Sequence, residues 1–149
     1  MSSFVLLTNF YFIISHCKQD SIANYLSINT TGNVSQHFYE FVSDDYKGET
    51  ITCNATECFF FCNEVSSCED MTIYVPVASS VTLHCIAKWS CKQIRLDIES
   101  QAKTAEIDCR NEEACWFGQI NAINTQAIRL NCTYPDTLQV SEACKYLTL

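Results

Sequence analysis

The stretch VTLHCIAKWSC, Val81–Cys91, contains the pattern that decides the fold. Its first half alternates, so that Val81, Leu83 and Cys85 share one face of an extended chain while polar residues take the other face. A second cysteine follows six residues after the first, and AEIDCRNEEAC at 105–115 repeats the whole arrangement. Alternation with a period of two predicts a strand, and the unit therefore predicts a strand that ends in a cysteine-closed corner.

Two columns of cysteines repeat at intervals of 23 or 24 residues. The first column is Cys62, Cys85, Cys109 and Cys132, and the second is Cys68, Cys91 and Cys115. A second alternating run follows each unit, at 71–75, 94–98 and 119–123. In a parallel stack, equivalent strands lie about 4.8 Å apart and bury each other's apolar faces. The period thus predicts an all-β parallel β-helix, or β-solenoid, with 23–24-residue coils stapled by disulfides.

Other architectures with short strands fit this sequence less well. The chain has three glycines and two prolines, which supplies few tight hairpin turns and disfavours a meandering antiparallel sheet or a disulfide-rich sandwich. A leucine-rich repeat has a similar period, but its L-x-x-L-x-L spacing is absent. Stacked parallel coils do not need tight hairpins and are preferred.

The units VTLHCIAKWSCKQI, AEIDCRNEEACWFGQI and IRLNC resemble the cysteine-rich right-handed β-helix repeats of large extracellular proteins of protists. The resemblance covers roughly residues 49–135 and implies a secreted or surface-displayed scaffold rather than a defined activity. The first unit departs from the pattern, because Cys53 and Cys58 precede Cys62. The last has Leu138 where a second-column cysteine would fall, and Cys144 six residues later. Irregular units at both ends are expected of capping coils.

Ten of the eleven cysteines are expected to form disulfides within their own units. The alternative links stacked coils, for example Cys62 to Cys85, because the coil spacing also permits a disulfide. Parity favours local pairing, because disulfides formed within the second column would pair two of its three cysteines and leave the third unpaired. The expected pairs are Cys53 with Cys58, Cys62 with Cys68, Cys85 with Cys91, Cys109 with Cys115 and Cys132 with Cys144.

The N-terminus carries an apolar run from Phe4 to Ile14, which has the length of a signal-peptide core. Residues 1–17 are therefore expected to be a signal peptide, although no Lys or Arg precedes the run, and a buried first strand is the alternative. Loss of Cys17 would leave an even number of cysteines. Residues 18–48 contain no cysteine and are interpreted as an N-terminal cap, and residues 49–149 as the solenoid domain.

The composition indicates in which cellular compartment the protein is expected and which classes of partner are disfavoured. Seventeen acidic and nine basic residues give a net charge of −8, which disfavours nucleic acid and anionic membranes, and no membrane insertion is expected after signal removal. Cysteines at this density indicate an oxidising, extracellular setting. Four sequons indicate a glycoprotein: they begin at Asn29, Asn33, Asn54 and Asn131.

No catalytic, metal or cofactor signature is found. The chain has no C-x2-C for zinc or thiol redox chemistry and no G-x-S-x-G. Carboxylates with a histidine (Asp97, Asp108 and His84) form the only catalytic constellation, and solvated positions on an outward face are the simpler interpretation. Trp89 and Trp116 lie in or beside the six-residue loops and are candidate carbohydrate contacts, with packing over a disulfide as the alternative.

The predicted function is that of a secreted or cell-surface structural, adhesive or filament-forming module, and not that of an enzyme. A carbohydrate-binding or polysaccharide-active β-helix domain is the alternative, which would need an acidic or aromatic groove. The expected partners are further copies of the chain, other extracellular β-solenoids and glycans. No charged or proline-rich stretch blunts the last coil, so end-to-end association is expected unless the tail folds across the end.

Overall fold

The computed structural model describes residues 11–13, 23–29, 34–42, 46–133, 144 and 146–149. These residues form strands and no α-helix, and none of them belongs to a helix that would be long and apolar enough to cross a bilayer. The strands are β1 (Tyr11–Ile13), β2 (Ala23–Asn29), β3 (Ser35–Phe41), β4 (Thr50–Thr52), β5 (Glu57–Cys62), β6 (Thr72–Val75), β7 (Ser80–Cys85), β8 (Arg95–Ile98), β9 (Thr104–Arg110), β10 (Gln119–Asn121) and β11 (Ala127–Thr133).

The strands build the two walls of a solenoid. Sheet B has the order β1-β2-β3-β5-β7-β9-β11, and sheet C has the order β10-β8-β6-β4. All pairs from β3 onwards are parallel, and the register aligns the first-column cysteines, Cys62 with Cys85, Cys85 with Cys109 and Cys109 with Cys132. The predicted parallel β-solenoid with coils of about 23 residues is therefore confirmed.

The core lies between the two walls and consists of the inward residues of each strand. On β7 the burial alternates, and Val81, Leu83 and Cys85 are fully buried. Ala105 and Ile107 stack directly beneath Val81 and Leu83. Full burial of a Val, Leu or Ile side chain contributes about 1.5–3 kcal/mol, and the repetition of these residues from coil to coil stabilises the stack.

The corner that leads from sheet B to sheet C is closed by a disulfide in successive coils. The structure contains the five local pairs expected from parity, Cys53–Cys58, Cys62–Cys68, Cys85–Cys91, Cys109–Cys115 and Cys132–Cys144. The first corner has Phe41 in register with Cys62, and this ring contacts Tyr46 edge to face at 5.2 Å between centroids. An aromatic contact thus lies where later coils have a disulfide.

Backbone conformation explains how these corners turn without glycine. In two successive corners, the residues four, six and eight positions after the first cysteine have positive φ: Ser66, Cys68 and Asp70, then Trp89, Cys91 and Gln93. The next corner, which follows Cys109, has Glu113 and Phe117 at the corresponding positions. Backbone bonds between coils hold the conformation, such as Gln93 N–H to the Trp116 carbonyl at 2.8 Å.

The two ends of the solenoid differ. At the N-terminal end, β2 pairs antiparallel with both β1 and β3 and covers the edge of sheet B. At the C-terminal end, the tail covers sheet C, because Thr148 forms a parallel bridge with Gln119 and accepts a bond from Ile120 N–H at 2.9 Å. Gly118 allows this approach, since a Cβ there would meet Leu147 Cδ1 at 2.8 Å. The tail thus lies next to β10, at the position that the sheet C strand of a further coil would occupy.

The structure differs from the sequence-based expectations about where the segments begin and which residues are buried. The parallel stack begins at β3, which lies within the segment interpreted as a cap. In the apolar run Phe59–Phe61, only Phe60 points inward and is fully buried. Within the predicted signal peptide, Tyr11–Ile13 forms β1, and the rest lies outside the described residues. The signal peptide stays a prediction.

Candidate functional site

The C-terminal end of sheet B is the first candidate site. Among the described residues, β11 pairs with β9 alone, and no described strand pairs with its other edge. Ile128 and Leu130 continue the core columns of Val81 and Leu83 but are 40% and 38% exposed, whereas their counterparts in the preceding coils are buried. Within the described part of the chain, no further coil covers the core at this end.

The open end carries most of the exposed apolar side chains in the described part of the chain. Of eleven large exposed apolar residues, six belong to the last coil and tail: Phe117, Ile123, Ile128, Leu130, Tyr146 and Leu149. Ile123 is 94% exposed. The rings of Phe117 and Tyr146 stack at 4.8 Å between centroids, and Trp116 stacks on the other side of Phe117 at 4.9 Å. This group of six residues is called the apolar end below.

A polar cluster on the outer face of sheet B is the second candidate. His84, Asp108 and Asn131 align in one outward column. Asp108 is 3% exposed and accepts a bond from Arg110 Nη2 at 2.6 Å and one from Asn131 Nδ2 at 3.0 Å. His84 Nδ1 lies 3.8 Å from the carboxylate. The carboxylate raises the pKa of the Arg110 guanidinium above its usual value, chiefly through the hydrogen bond.

The catalytic constellation considered from sequence is not assembled. Asp97 lies on β8 in sheet C, where it accepts bonds from Arg95 Nε at 2.7 Å and from Asn121 Nδ2 at 2.6 Å. Asp108 lies on β9 in the opposite wall. Two carboxylates on different walls cannot share one substrate bond, so this pair does not act as a general acid and base.

The two tryptophans occupy different positions of their coils. Trp89 lies four residues after Cys85, whereas Trp116 directly follows Cys115. Each has a lysine over its ring, Lys88 at 4.8 Å from the Trp89 centroid and Lys92 at 5.2 Å from that of Trp116. Cation–π contacts of this kind occupy one face of each ring and contribute about 0.5–1 kcal/mol at exposed sites.

Among the described residues, two groups of three stacked sulfur atoms come closest to a metal-ligand arrangement. The Sγ atoms of Cys62, Cys85 and Cys91 lie within 4.8 Å of one another, as do those of Cys85, Cys109 and Cys115. All of these cysteines are disulfide-bonded and buried. A disulfide sulfur carries no thiolate charge, which a soft metal ion requires of its ligand.

The sequons have different surroundings. Asn54 is exposed in the loop closed by Cys53 and Cys58, and Asn131 is exposed on β11. Asn29 is the last residue of β2, and Asn33 lies outside the described residues. Whether these asparagines are glycosylated stays a prediction.

The sequence patterns did not predict the structural difference between the two ends of the solenoid. The tail residues KYLTL show no strand alternation long enough to predict the bridge at Thr148. Exposure of Ile128 and Leu130 depends on what lies beyond the last coil, which a repeat period does not contain. The hydrophobic residues after Cys115 were the only available signal, because they have no equivalents in earlier units.

Comparison with family models, with curated proteins and with solved structures gave no match to this chain. The fold defines a disulfide-stapled β-solenoid. Five disulfides fit an oxidising, extracellular setting.

Proposed function

We propose that the chain is a secreted or cell-surface structural module that associates with a second copy through the apolar end of its solenoid. The exposure of Ile128 and Leu130 on β11 carries the proposal. A strand added from a second copy would bury these side chains and would form backbone hydrogen bonds with the edge of β11 that no described strand pairs with.

Contact between two identical ends buries the apolar end without a second apolar surface. The apolar end holds six of the eleven large exposed apolar residues in the described part of the chain. Two such ends can cover each other by an isologous contact, with two β11 strands antiparallel across a two-fold axis. The module would then be a closed, elongated dimer.

Analytical ultracentrifugation over a wide concentration range tests the proposal on protein with its disulfides formed. We expect a monomer–dimer equilibrium. Ile128→Lys and Ile123→Lys should each weaken the dimer about tenfold or more, since each places a charge in an apolar contact and tenfold corresponds to about 1.4 kcal/mol.

Val77→Lys is the matched control, because Val77 is 62% exposed in the turn between β6 and β7, away from β11. This variant should dimerise like the native chain. A protein that stays monomeric at high concentration would refute the proposal, and an unlimited series of larger species would replace the dimer by a filament. Melting temperatures of the variants distinguish lost association from lost folding.

A further inference from the structure

An open depression of about 470 Å³ lies on the outer face of sheet B near its C-terminal rim. Its lining consists of Ile86, Arg110, Asn111, Asn131 and Thr133. The volume falls in the range of small-ligand sites, about 300–1,000 Å³. Ile86 is 38% exposed and supplies an apolar surface, and the other four side chains supply donors and acceptors.

Two of the lining side chains are held in place by a buried carboxylate. Asp108 Oδ2 accepts from Arg110 Nη2 at 2.6 Å, and Asp108 Oδ1 accepts from Asn131 Nδ2 at 3.0 Å. Asn111 is held separately, because its Nδ2 donates to the Ile86 carbonyl at 3.2 Å. The polar wall of the depression is therefore ordered before any ligand arrives, which reduces the entropic cost of binding.

The sequon Asn131-Cys132-Thr133 places its acceptor and its hydroxyl residue on the wall of this depression. The Asn131 amide has two N–H groups. One donates to Asp108, which fixes the plane of the amide and leaves the second as the point of attachment for a sugar. Asn131 is exposed, so an attached sugar has room.

We propose that Asn131 carries an N-linked glycan whose first sugar residue lies in the depression, against Ile86 and Arg110. This inference rests on the proposed secretion, because the donor, a lipid-linked oligosaccharide diphosphate, is met on the secretory route. In the transfer, a bond forms between Asn131 Nδ2 and C1 of the sugar, the bond from C1 to the phosphate oxygen breaks, and Nδ2 loses one proton as the lipid diphosphate leaves. No oxidation or reduction occurs.

The depression suits an N-acetylhexosamine. Its acetyl methyl and ring C–H groups can pack on Ile86, and its hydroxyl and carbonyl oxygens can accept from the Arg110 N–H groups that Asp108 does not use. Covalent attachment at Asn131 raises the local concentration of the sugar, so weak contacts suffice. Ile86 belongs to the coil two before that of Asn131, so the seated sugar points back along the solenoid. The free edge of β11 stays open for association.

Site-by-site mass spectrometry tests attachment. The full chain is produced behind a strong heterologous export signal in a glycosylating eukaryotic host, so that the result does not depend on residues 1–17. We expect a glycan on Asn131. An unmodified Asn131 in the secreted protein overturns the inference, whatever the state of Asn54. Association is measured on unglycosylated protein, so failure of the proposed function is recognised separately.

A double-mutant cycle tests whether the first sugar residue packs in the depression against Ile86. Glycans are trimmed to one sugar residue, and the melting temperature of each protein is compared with that of its Asn131→Gln variant, in the native chain and in Ile86→Ser. We expect the sugar to raise the melting temperature by about 2–4 °C in the native chain and by less than half as much in Ile86→Ser. The same rise in melting temperature in both backgrounds, or no rise in the native chain, contradicts the packing of the sugar against Ile86. Asn54→Gln is the control and should leave both increments unchanged.

Discussion

At the scale of single residues, the corners depend on left-handed backbone at positions occupied by ordinary side chains. Gln93 has a φ of 57°, is exposed, and donates its N–H to the next coil. A non-glycine residue in this region costs about 1–2 kcal/mol relative to glycine. The scarcity of glycine disfavoured an antiparallel meander, which holds from β3 onwards but not for β1, β2 and β3. It gave no sign that non-glycine residues would adopt the left-handed conformation. Backbone bonds to neighbouring coils compensate for it, and these depend on long-range stacking that local sequence does not reveal.

Replacement of Gln93 tests this strain. Gln93→Gly should raise the free energy of unfolding by about 1 kcal/mol relative to Gln93→Ala, because glycine adopts positive φ without a Cβ clash. Gln93→Ala is the control and should lie close to the native chain, since it keeps a Cβ and loses only an exposed side chain. Denaturant titration of the oxidised protein measures both. If the glycine variant is less stable than the alanine variant, the corner is not strained as described.

At the scale of elements, the strands and their disulfides were predictable because the signals are local. Alternation in VTLHC, AEIDC and IRLNC predicted β7, β9 and β11, and burial follows that alternation on β7. The sulfur atoms of adjacent coils also lie close to one another. Cys91 Sγ lies within 4.8 Å of Cys62 Sγ in the adjacent coil, so a free thiol at one corner has a disulfide within reach.

Removal of a single cysteine should therefore rearrange a neighbouring corner. In Cys85→Ala, the Cys91 thiolate can attack Cys62 and release Cys68, which exchanges one disulfide for another without net oxidation. Non-reducing peptide mapping should detect the Cys62–Cys91 link. The double variant Cys85→Ala/Cys91→Ala is the control, because it has no free thiol there and should keep Cys62–Cys68. It should be about 2 kcal/mol less stable than the native chain from loop closure alone. An intact Cys62–Cys68 in the single variant would contradict the stacking.

At the scale of the whole molecule, sequence predicted the stack better than its ends. The period fixed which residues align from coil to coil, and hence that His84, Asp108 and Asn131 share a column. The depression beside Asn131 was not predictable, because it needs side chains from three coils and the backbone turn at Asn111, where φ is 96°. Among the described residues, the tail covers the last edge of sheet C and no strand covers that of sheet B, and the tail has no repeat pattern that would predict this difference. The proposed association depends on this difference.

Hydrogen–deuterium exchange of β11 at low and high protein concentration tests the central claim most directly. If two copies associate through this strand, amides of β11 that do not bond to β9 gain partners and exchange more slowly as the dimer forms. Amides of β7, which pairs on both sides within the chain, should exchange equally at both concentrations. Slower exchange confined to β11 and the apolar end is the predicted result. Association without any change at β11, or protection elsewhere on the surface, would contradict the account.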